Sequence, residues 1–341
     1  MFDIDQAIRK NIRELKSYSS ARDEFCGDAS IWLDANENPY ETDMNRYPDP
    51  YQTELKKAVA KLKKVEENQI FIGHGSDEII DLLFRAFCEP QVDKAYLFPP
   101  TYGMYAIGAQ INQVEIVELP LLQDFDLPEW SQIQSIIRSK GLLFMCSPNN
   151  PTGTAYSLNS IQELASQFPG IVAVDEAYID FSETPSAISL LSKIPNLVVL
   201  QTLSKAYGLA GLRVGMAFTH PEIIKVLNKI KPPYNINTLS QQMGLKALEN
   251  REIVLQQIQE IKHQREWLRN ELEILPQVVK VHPSEANFLL VQFEDTSTNF
   301  KALLDHGIVV RNRARQVEGC LRITIGTPDQ NKTLLQTLKS L

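Results

Sequence analysis

The alternation of apolar and polar positions divides the chain into three stretches. Residues 1–44 are mixed and turn-rich, with a helical stretch near 5–16, and read as an arm. Beyond residue 52, ELKKAVAKLKKV has the spacing of an amphipathic helix. Seven short apolar runs then follow, at 69–73, 94–100, 114–120, 141–148, 170–177, 197–204 and 213–219. Helical patterns separate most of them, for example at 76–87 and 160–168. This rhythm predicts an α/β domain built on a mostly parallel, buried sheet of seven strands. One gap breaks it: the run ending at Ser204 is followed at once by the run opening at Arg213. A parallel crossover needs about a dozen residues, so the last strand is expected to run antiparallel to its predecessor or to sit away from it.

From 241 to 275 the chain reads as a long amphipathic core helix, with Val254, Ile258, Ile261, Leu268, Leu272 and Leu275 on one face, Arg265 at the skipped position and Pro276 as the stop. The remainder reads as strand 287–293, helix 299–305 closed by Gly307, strands 307–311 and 320–326, and a terminal helix. The expected division is therefore 1–44 for the arm and part of a small domain, 45–240 for a large domain and 241–341 for a small C-terminal α/β domain.

Composition narrows the function. With 43% hydrophobic and 22% charged residues, the 341-residue chain is ordinary for a globular protein and not for a disordered one. A net charge of −8 lacks the footprint of a nonspecific nucleic-acid binder. No apolar window approaches about 18 residues, which argues against a membrane span. The charged N-terminus lacks the apolar core of a secretory signal. Cys26, Cys88, Cys146 and Cys320, like the five histidines, fall at no metal-ligand spacing. No metal is expected, and scattered cysteines suit the reducing cytoplasm.

In open α/β sheets, ligands bind beyond the carboxyl ends of strands, so the residues after each apolar run carry the chemistry. Gly73-His74-Gly75-Ser76-Asp77 opens a helix; it is either a phosphate cup or an ordinary helix start capped by Ser76. Ser147-Pro148-Asn149-Asn150-Pro151 is a proline-rich turn that would also hold asparagine amides at a strand end. Asp175 ends a buried strand, where a carboxylate needs a partner, and Tyr178 lies three residues on. Lys205 follows a continuous apolar strand and precedes small residues; a partly desolvated lysine is a nucleophile and a base. Arg213 comes eight residues later. Together these groups suit pyridoxal phosphate, which needs a Schiff-base lysine, an acidic partner for its ring nitrogen and a phosphate site.

Asn150-Pro151-Thr152-Gly153, Asp175-Glu176-Ala177-Tyr178, Ser204-Lys205 and Gly211-Leu212-Arg213-Val214-Gly215 resemble the motifs of the fold-type I aminotransferases. The segments Tyr18–Arg22, Leu33–Pro39, Asn45–Pro48, Pro99–Tyr105 and Cys320–Thr327 are similar to those of its histidinol-phosphate branch. The resemblance covers nearly the whole chain. It implies that Lys205 is the Schiff-base lysine and that Asp175 pairs with the ring nitrogen. Asn150 and Tyr178 would bond the phenolic oxygen, and Tyr102 would lie on the ring face. Gly75, Ser76, Asp77, Ser204 and Arg213 would meet the cofactor phosphate. Tyr47 would reach the phosphate of the neighbouring subunit of a homodimer. Tyr18, Asn36, Arg311 and Arg322 would bind substrate. Met216, which stands where many relatives have an aromatic residue, is expected to affect packing only.

The implied reaction is amino transfer from histidinol phosphate to 2-oxoglutarate, yielding glutamate, with Lys205 as the proton carrier. An aromatic or broad-specificity aminotransferase and a threonine-phosphate decarboxylase share most of these residues. A nicotinamide-dependent dehydrogenase is disfavoured by the missing third glycine after Gly73 and Gly75, and a merely binding relative by the presence of Lys205.

Overall fold

The structure, a computed structural model, describes residues 2–17, 25, 27 and 29–340. Seven strands form the large sheet: β1 Ile70–His74, β2 Lys94–Leu97, β3 Glu115–Glu118, β4 Gly141–Cys146, β5 Ile171–Asp175, β6 Leu197–Thr202 and β7 Val214–Thr219. Their order is β1-β7-β6-β5-β4-β2-β3. Every position of β4 to β7 is buried, because helices cover both faces. Leu143, Met145, Val172, Val174 and Val199 pack on one side, and Leu142, Phe144, Ala173, Val198 and Leu200 on the other. Each of these side chains except the small Ala173 contributes about 1.5–3 kcal/mol on burial, so strand register is strongly fixed. Met216 lies in the first of these cores.

β7 runs antiparallel to both β6 and β1, the first of the two arrangements that the short gap before it left open. The other neighbours are parallel. β7 packs tightly against the helix Gly75–Phe87. A Cβ at Gly215 would meet the backbone carbon of Gly75 at 2.4 Å, so only glycine admits this approach.

The second sheet holds β8 Val278–Val281, β9 Phe288–Phe293, β10 Arg311–Asn312 and β11 Cys320–Thr324, in the order β10-β11-β9-β8, all antiparallel. It packs on the helices Arg251–Glu273, Thr296–Asp305 and Pro328–Lys339.

Several boundaries depart from the sequence reading. The single helix expected near 5–16 is two short ones, Ile4–Ala7 and Lys10–Glu14. The segment 241–275 is also two helices, Thr238–Glu249 and Arg251–Glu273. They part at Asn250, whose side chain donates to the Lys246 carbonyl (2.9 Å) and so competes with helix continuation. The second of them stops before Pro276, which disfavours helical geometry at Leu275. The strand expected at 307–311 shrinks to Arg311–Asn312: Ile308 and Val310 pack on the small core, but the segment finds no ladder partner and Val309 faces solvent. β8 was not foreseen, because Lys280 interrupts its short apolar run.

Arg265, at the skipped position, is buried and donates to the carbonyls of Ala286 (2.9 Å) and Phe181 (3.4 Å). Glu285 likewise accepts from the backbone N–H groups of Glu183 (2.9 Å) and Thr184 (3.3 Å). These bonds tie the entry to β9 to the loop after β5, and they hold the small sheet over one edge of the large one.

Candidate active site

Pairing of His74 with Val214, of Cys146 with Asp175 and of Thr202 with Gly215 aligns the ends of β1, β4, β5 and β6 with the start of β7. The residues that follow those ends therefore meet at one edge. They line a cavity of ≈410 Å³, within the size range of small-molecule sites. Of the residues picked from the sequence, Ser76, Asp77, Tyr102, Asn150, Asp175 and Tyr178 face it from the strand ends and following helices. Ser204, Lys205 and Arg213 enter from the β6–β7 loop, and Arg311 and Arg322 from the small sheet.

Asp175 is 4% exposed. Its Oδ2 accepts from the Tyr105 hydroxyl at 2.7 Å and its Oδ1 from the Ala177 N–H at 3.1 Å. Burial pushes its pKa above the ordinary carboxylate value despite both bonds. Among the described residues no basic side chain is bonded to it, so this is a buried acid suited to a cationic or protonated ligand atom. Across the cavity, Lys205 is open to solvent, its Nζ 5.5 Å from the Tyr178 ring centroid, with no hydrogen-bond partner among the described residues. The protein around the cavity, and then Arg322, lower its pKa. Tyr178 packs edge-on against Phe288 at 5.2 Å.

The Gly75 end discriminates between the two readings of that motif. Ser76 lies inside the first turn rather than at the cap, and no side chain caps the helix at His74. The Gly75 N–H donates to the Arg213 carbonyl at 2.8 Å, so of the residues expected to meet a phosphate it is the N–H groups of Ser76 and Asp77 that are left for an anion. Gly75 has φ +72°, and a Cβ there would meet Arg213 Nη2 at 2.5 Å, so the glycine makes room for the guanidinium. Asp77 does not repel an anion freely: its carboxylate accepts from Arg213 (3.3 Å) and from the Tyr102 hydroxyl (3.1 Å). Ser204 Oγ sits 3.0 Å from Thr202 Oγ1.

Arg322 donates through Nη1 to Asn150 Oδ1, which leaves the amide N–H₂ of Asn150 for a ligand. Its guanidinium lies 5.2 Å from the Phe288 centroid, and its Nε is buried without a partner.

Three residues picked from the sequence are not brought here. Asn36 and Tyr47 line a separate cavity of ≈440 Å³ between 35–48 and 237–239. Glu37 organises that wall, pairing with Arg46 at 2.8 Å and accepting from the Tyr47 N–H at 2.6 Å. Tyr47 stacks on Tyr234 with centroids 4.4 Å apart. Tyr18 lies outside the described residues. Two residues were missed as parts of the site. Tyr105 reaches Asp175 from the helix Met104–Ile111. Arg313 lines the cavity although it reads as part of a surface run; the alternation Arg311-x-Arg313 on a hairpin strand was the available signal.

The family model for aminotransferase class I and II matches residues 27–338. A histidinol-phosphate aminotransferase of Cytophaga hutchinsonii is 48% identical over 345 residues, covering 99% of this chain and 99% of the relative. One of Parabacteroides distasonis is 49% identical over 343 residues, covering 100% and 99%. Among solved structures, the histidinol-phosphate aminotransferase from Clostridium acetobutylicum has the same fold, with a TM-score of 0.80 at 24% identity over 87% of this chain and 91% of that one.

Proposed function

This chain belongs to the aminotransferase class I and II family, and from that premise we propose that it transfers the amino group of histidinol phosphate to 2-oxoglutarate with pyridoxal phosphate in the Lys205 cavity. The products are imidazole-acetol phosphate and glutamate. The observation that carries this reading is the opposition, in one cavity, of a buried acid at Asp175 and an amine of lowered pKa at Lys205, flanked by an uncapped helix start.

The donor set fits the cofactor. Ser76 and Asp77 would take its phosphate through their backbone N–H groups, with Ser204 and Arg213, and Gly75 would hold Arg213 close to it. Asp175 would pair with the ring nitrogen, Asn150 and Tyr178 with the phenolic oxygen, and Tyr102 would lie against the ring. When bound, pyridoxal phosphate supplies a carbonyl carbon for amines and a ring that accepts the electrons left by a departing proton.

The chain's own groups do the rest. Lys205, uncharged more readily than an ordinary lysine, would take the proton from the substrate's Cα and deliver it to the cofactor carbon that had carried the carbonyl oxygen, two bonds away across the amino nitrogen. Asp175 would set a negative charge against the ring nitrogen, with Tyr105 and the Ala177 N–H holding both of its oxygens in place. Arg322, with Arg311, binds the anionic end of either substrate, because a guanidinium fork fits both phosphate and carboxylate. Tyr18 would close over the substrate.

On this reading the enzyme works as a cytoplasmic homodimer, in which Tyr47 serves the site of a second copy and Asn36 contributes to substrate binding. The position of both in a cavity apart from Lys205 supports an intersubunit role. So does the exposed apolar surface beside it at Leu33, Met44 and Leu239. Cys88, Cys146 and Cys320, free and buried, suit the cytoplasm. Among the described residues no helix is long and apolar enough to cross a membrane.

The test is a comparison of initial rates with histidinol phosphate, phenylalanine, aspartate and threonine phosphate, each with 2-oxoglutarate. Histidinol phosphate should give the highest kcat/KM, with glutamate formed in equal amount. Faster turnover of phenylalanine would make the enzyme an aromatic aminotransferase, and carbon dioxide release from threonine phosphate without glutamate would make it a decarboxylase.

A further inference from the structure

We propose that Arg313 is a third anion-binding arginine, and that it makes the site prefer a doubly charged phosphate monoester to a singly charged carboxylate. The inference rests on the substrate reading above and goes beyond it, because it concerns how one cavity distinguishes its two anionic substrates.

The geometry is that of a short hairpin. Arg311 of β10 stands directly opposite Arg322 of β11. Like charges placed so are destabilising across an antiparallel pair unless something else compensates. The hairpin continues for another residue, where the Arg313 N–H donates to the Cys320 carbonyl at 3.0 Å. With the two-residue alternation of an extended chain, Arg313 therefore points to the same side as Arg311. All three guanidinium groups line the Lys205 cavity.

Arg313 is only partly exposed, and its Nε is buried without a partner, as is that of Arg322. Gln316 Oε1 accepts from Arg313 Nη1 at 3.0 Å and aims the side chain. Burial, then Arg322 and then Arg311, lower the pKa of Arg313, the mark of a cation held beside other cations.

Among the described residues no carboxylate is paired with Arg311, Arg313 or Arg322. Two carboxylates line this cavity, Asp77 and Asp175, and neither is bonded to these arginines: Asp77 is held by Arg213 and Tyr102, and Asp175 by Tyr105. Two clustered arginines suffice for a carboxylate. A phosphate monoester presents three oxygens and close to two negative charges at neutral pH, which is what a third guanidinium adds capacity for.

The experiment uses the cofactor-loaded enzyme and its Arg313→Gln and Arg313→Lys variants. Inorganic phosphate and acetate are measured as competitive inhibitors of the glutamate half-reaction, and KM and kcat are measured for histidinol phosphate and for glutamate. In Arg313→Gln, inhibition by phosphate should weaken about 10-fold or more and the KM for histidinol phosphate should rise by a similar factor. Acetate inhibition, the KM for glutamate and both kcat values should stay within about 3-fold, the range expected where no charged hydrogen bond is lost. Arg313→Lys should restore part of the phosphate response, since it keeps the charge and loses the fork. Equal weakening of phosphate and acetate, or no change in either, would overturn the inference and leave Arg313 a hairpin residue. If histidinol phosphate is not turned over by the unaltered enzyme while phosphate inhibition still depends on Arg313, the substrate reading fails and the role of Arg313 stands.

Discussion

Replacing Tyr105 by phenylalanine removes one oxygen and little else. The ring is fully buried, stacked on Phe144 with centroids 4.6 Å apart at 12°, and a phenylalanine retains that packing. What is lost is the 2.7 Å hydrogen bond to Asp175 Oδ2. A bond to a buried charge is worth about 1.5–3 kcal/mol, against about 0.5–1.5 kcal/mol for a bond to a neutral group. Asp175 has a folded pKa above its ordinary value, chiefly through burial. Its contribution to stability is therefore complete below the ordinary carboxylate range and declines as pH rises through the raised folded value. Tyr105 offsets that decline, because it bonds the charged form. Tyr105→Phe should thus cost about 1.5–3 kcal/mol at pH 8 and about 0.5–1.5 kcal/mol in acid, where Asp175 is protonated in both variants. Urea unfolding of the cofactor-free chain at the two pH values measures both costs. An equal loss at each, or a loss below about 0.5 kcal/mol at pH 8, would refute the claim that this hydroxyl supports the Asp175 charge.

Two further perturbations test the groups around that acid. Glu176, next in sequence, turns away from the cavity and accepts from Ser186 Oγ (2.6 Å), the Ala187 N–H (2.6 Å) and Gln201 Nε2 (2.8 Å). Burial raises its pKa to about 7, so its ionisation costs stability as pH rises from about 4.5 to about 7. Glu176→Gln should gain on the unaltered chain by roughly 3 kcal/mol over that interval, read as urea midpoints at pH 5 and pH 8; a constant difference would contradict it. Gly75→Ala puts a side chain at φ +72° and 2.5 Å from Arg213 Nη2, costing about 1–2 kcal/mol in backbone strain and displacing the guanidinium. Cofactor affinity by equilibrium dialysis should fall about 10-fold or more while the unfolding transition stays cooperative, and unchanged affinity would show that Arg213 does not meet the phosphate.

Much of the site was legible because it lies where local pattern and chemistry coincide. Asp175 ends one buried strand and Lys205 closely follows another, and the sheet has to bring those strand ends to one edge. The antiparallel β7 is one of the two arrangements that the length of one loop left open. What escaped depends on distant packing. The bond from Tyr105 to Asp175 spans 70 residues and arises from how the helix Met104–Ile111 settles beside the strand ends. Arg313 reads as one of three basic residues in a surface run until the hairpin register turns it toward the cavity. The break at Asn250 turns on a single side-chain bond, and the loss of the strand at 307–310 on the absence of a ladder partner, neither of which hydrophobic periodicity registers. Asn36 is expected beside Arg311 and Arg322 at the substrate, yet within one chain it lines a different cavity, together with Tyr47, which the resemblance assigns to the neighbouring subunit.

The central claim is that Lys205 is the amine through which this chain carries its cofactor. Borohydride reduction of the protein loaded with pyridoxal phosphate, followed by peptide mass mapping, tests it directly. The predicted result is a single phosphopyridoxyl adduct on the peptide containing Lys205, absent after Lys205→Ala. An adduct on another lysine, or turnover that survives Lys205→Ala undiminished, would contradict it.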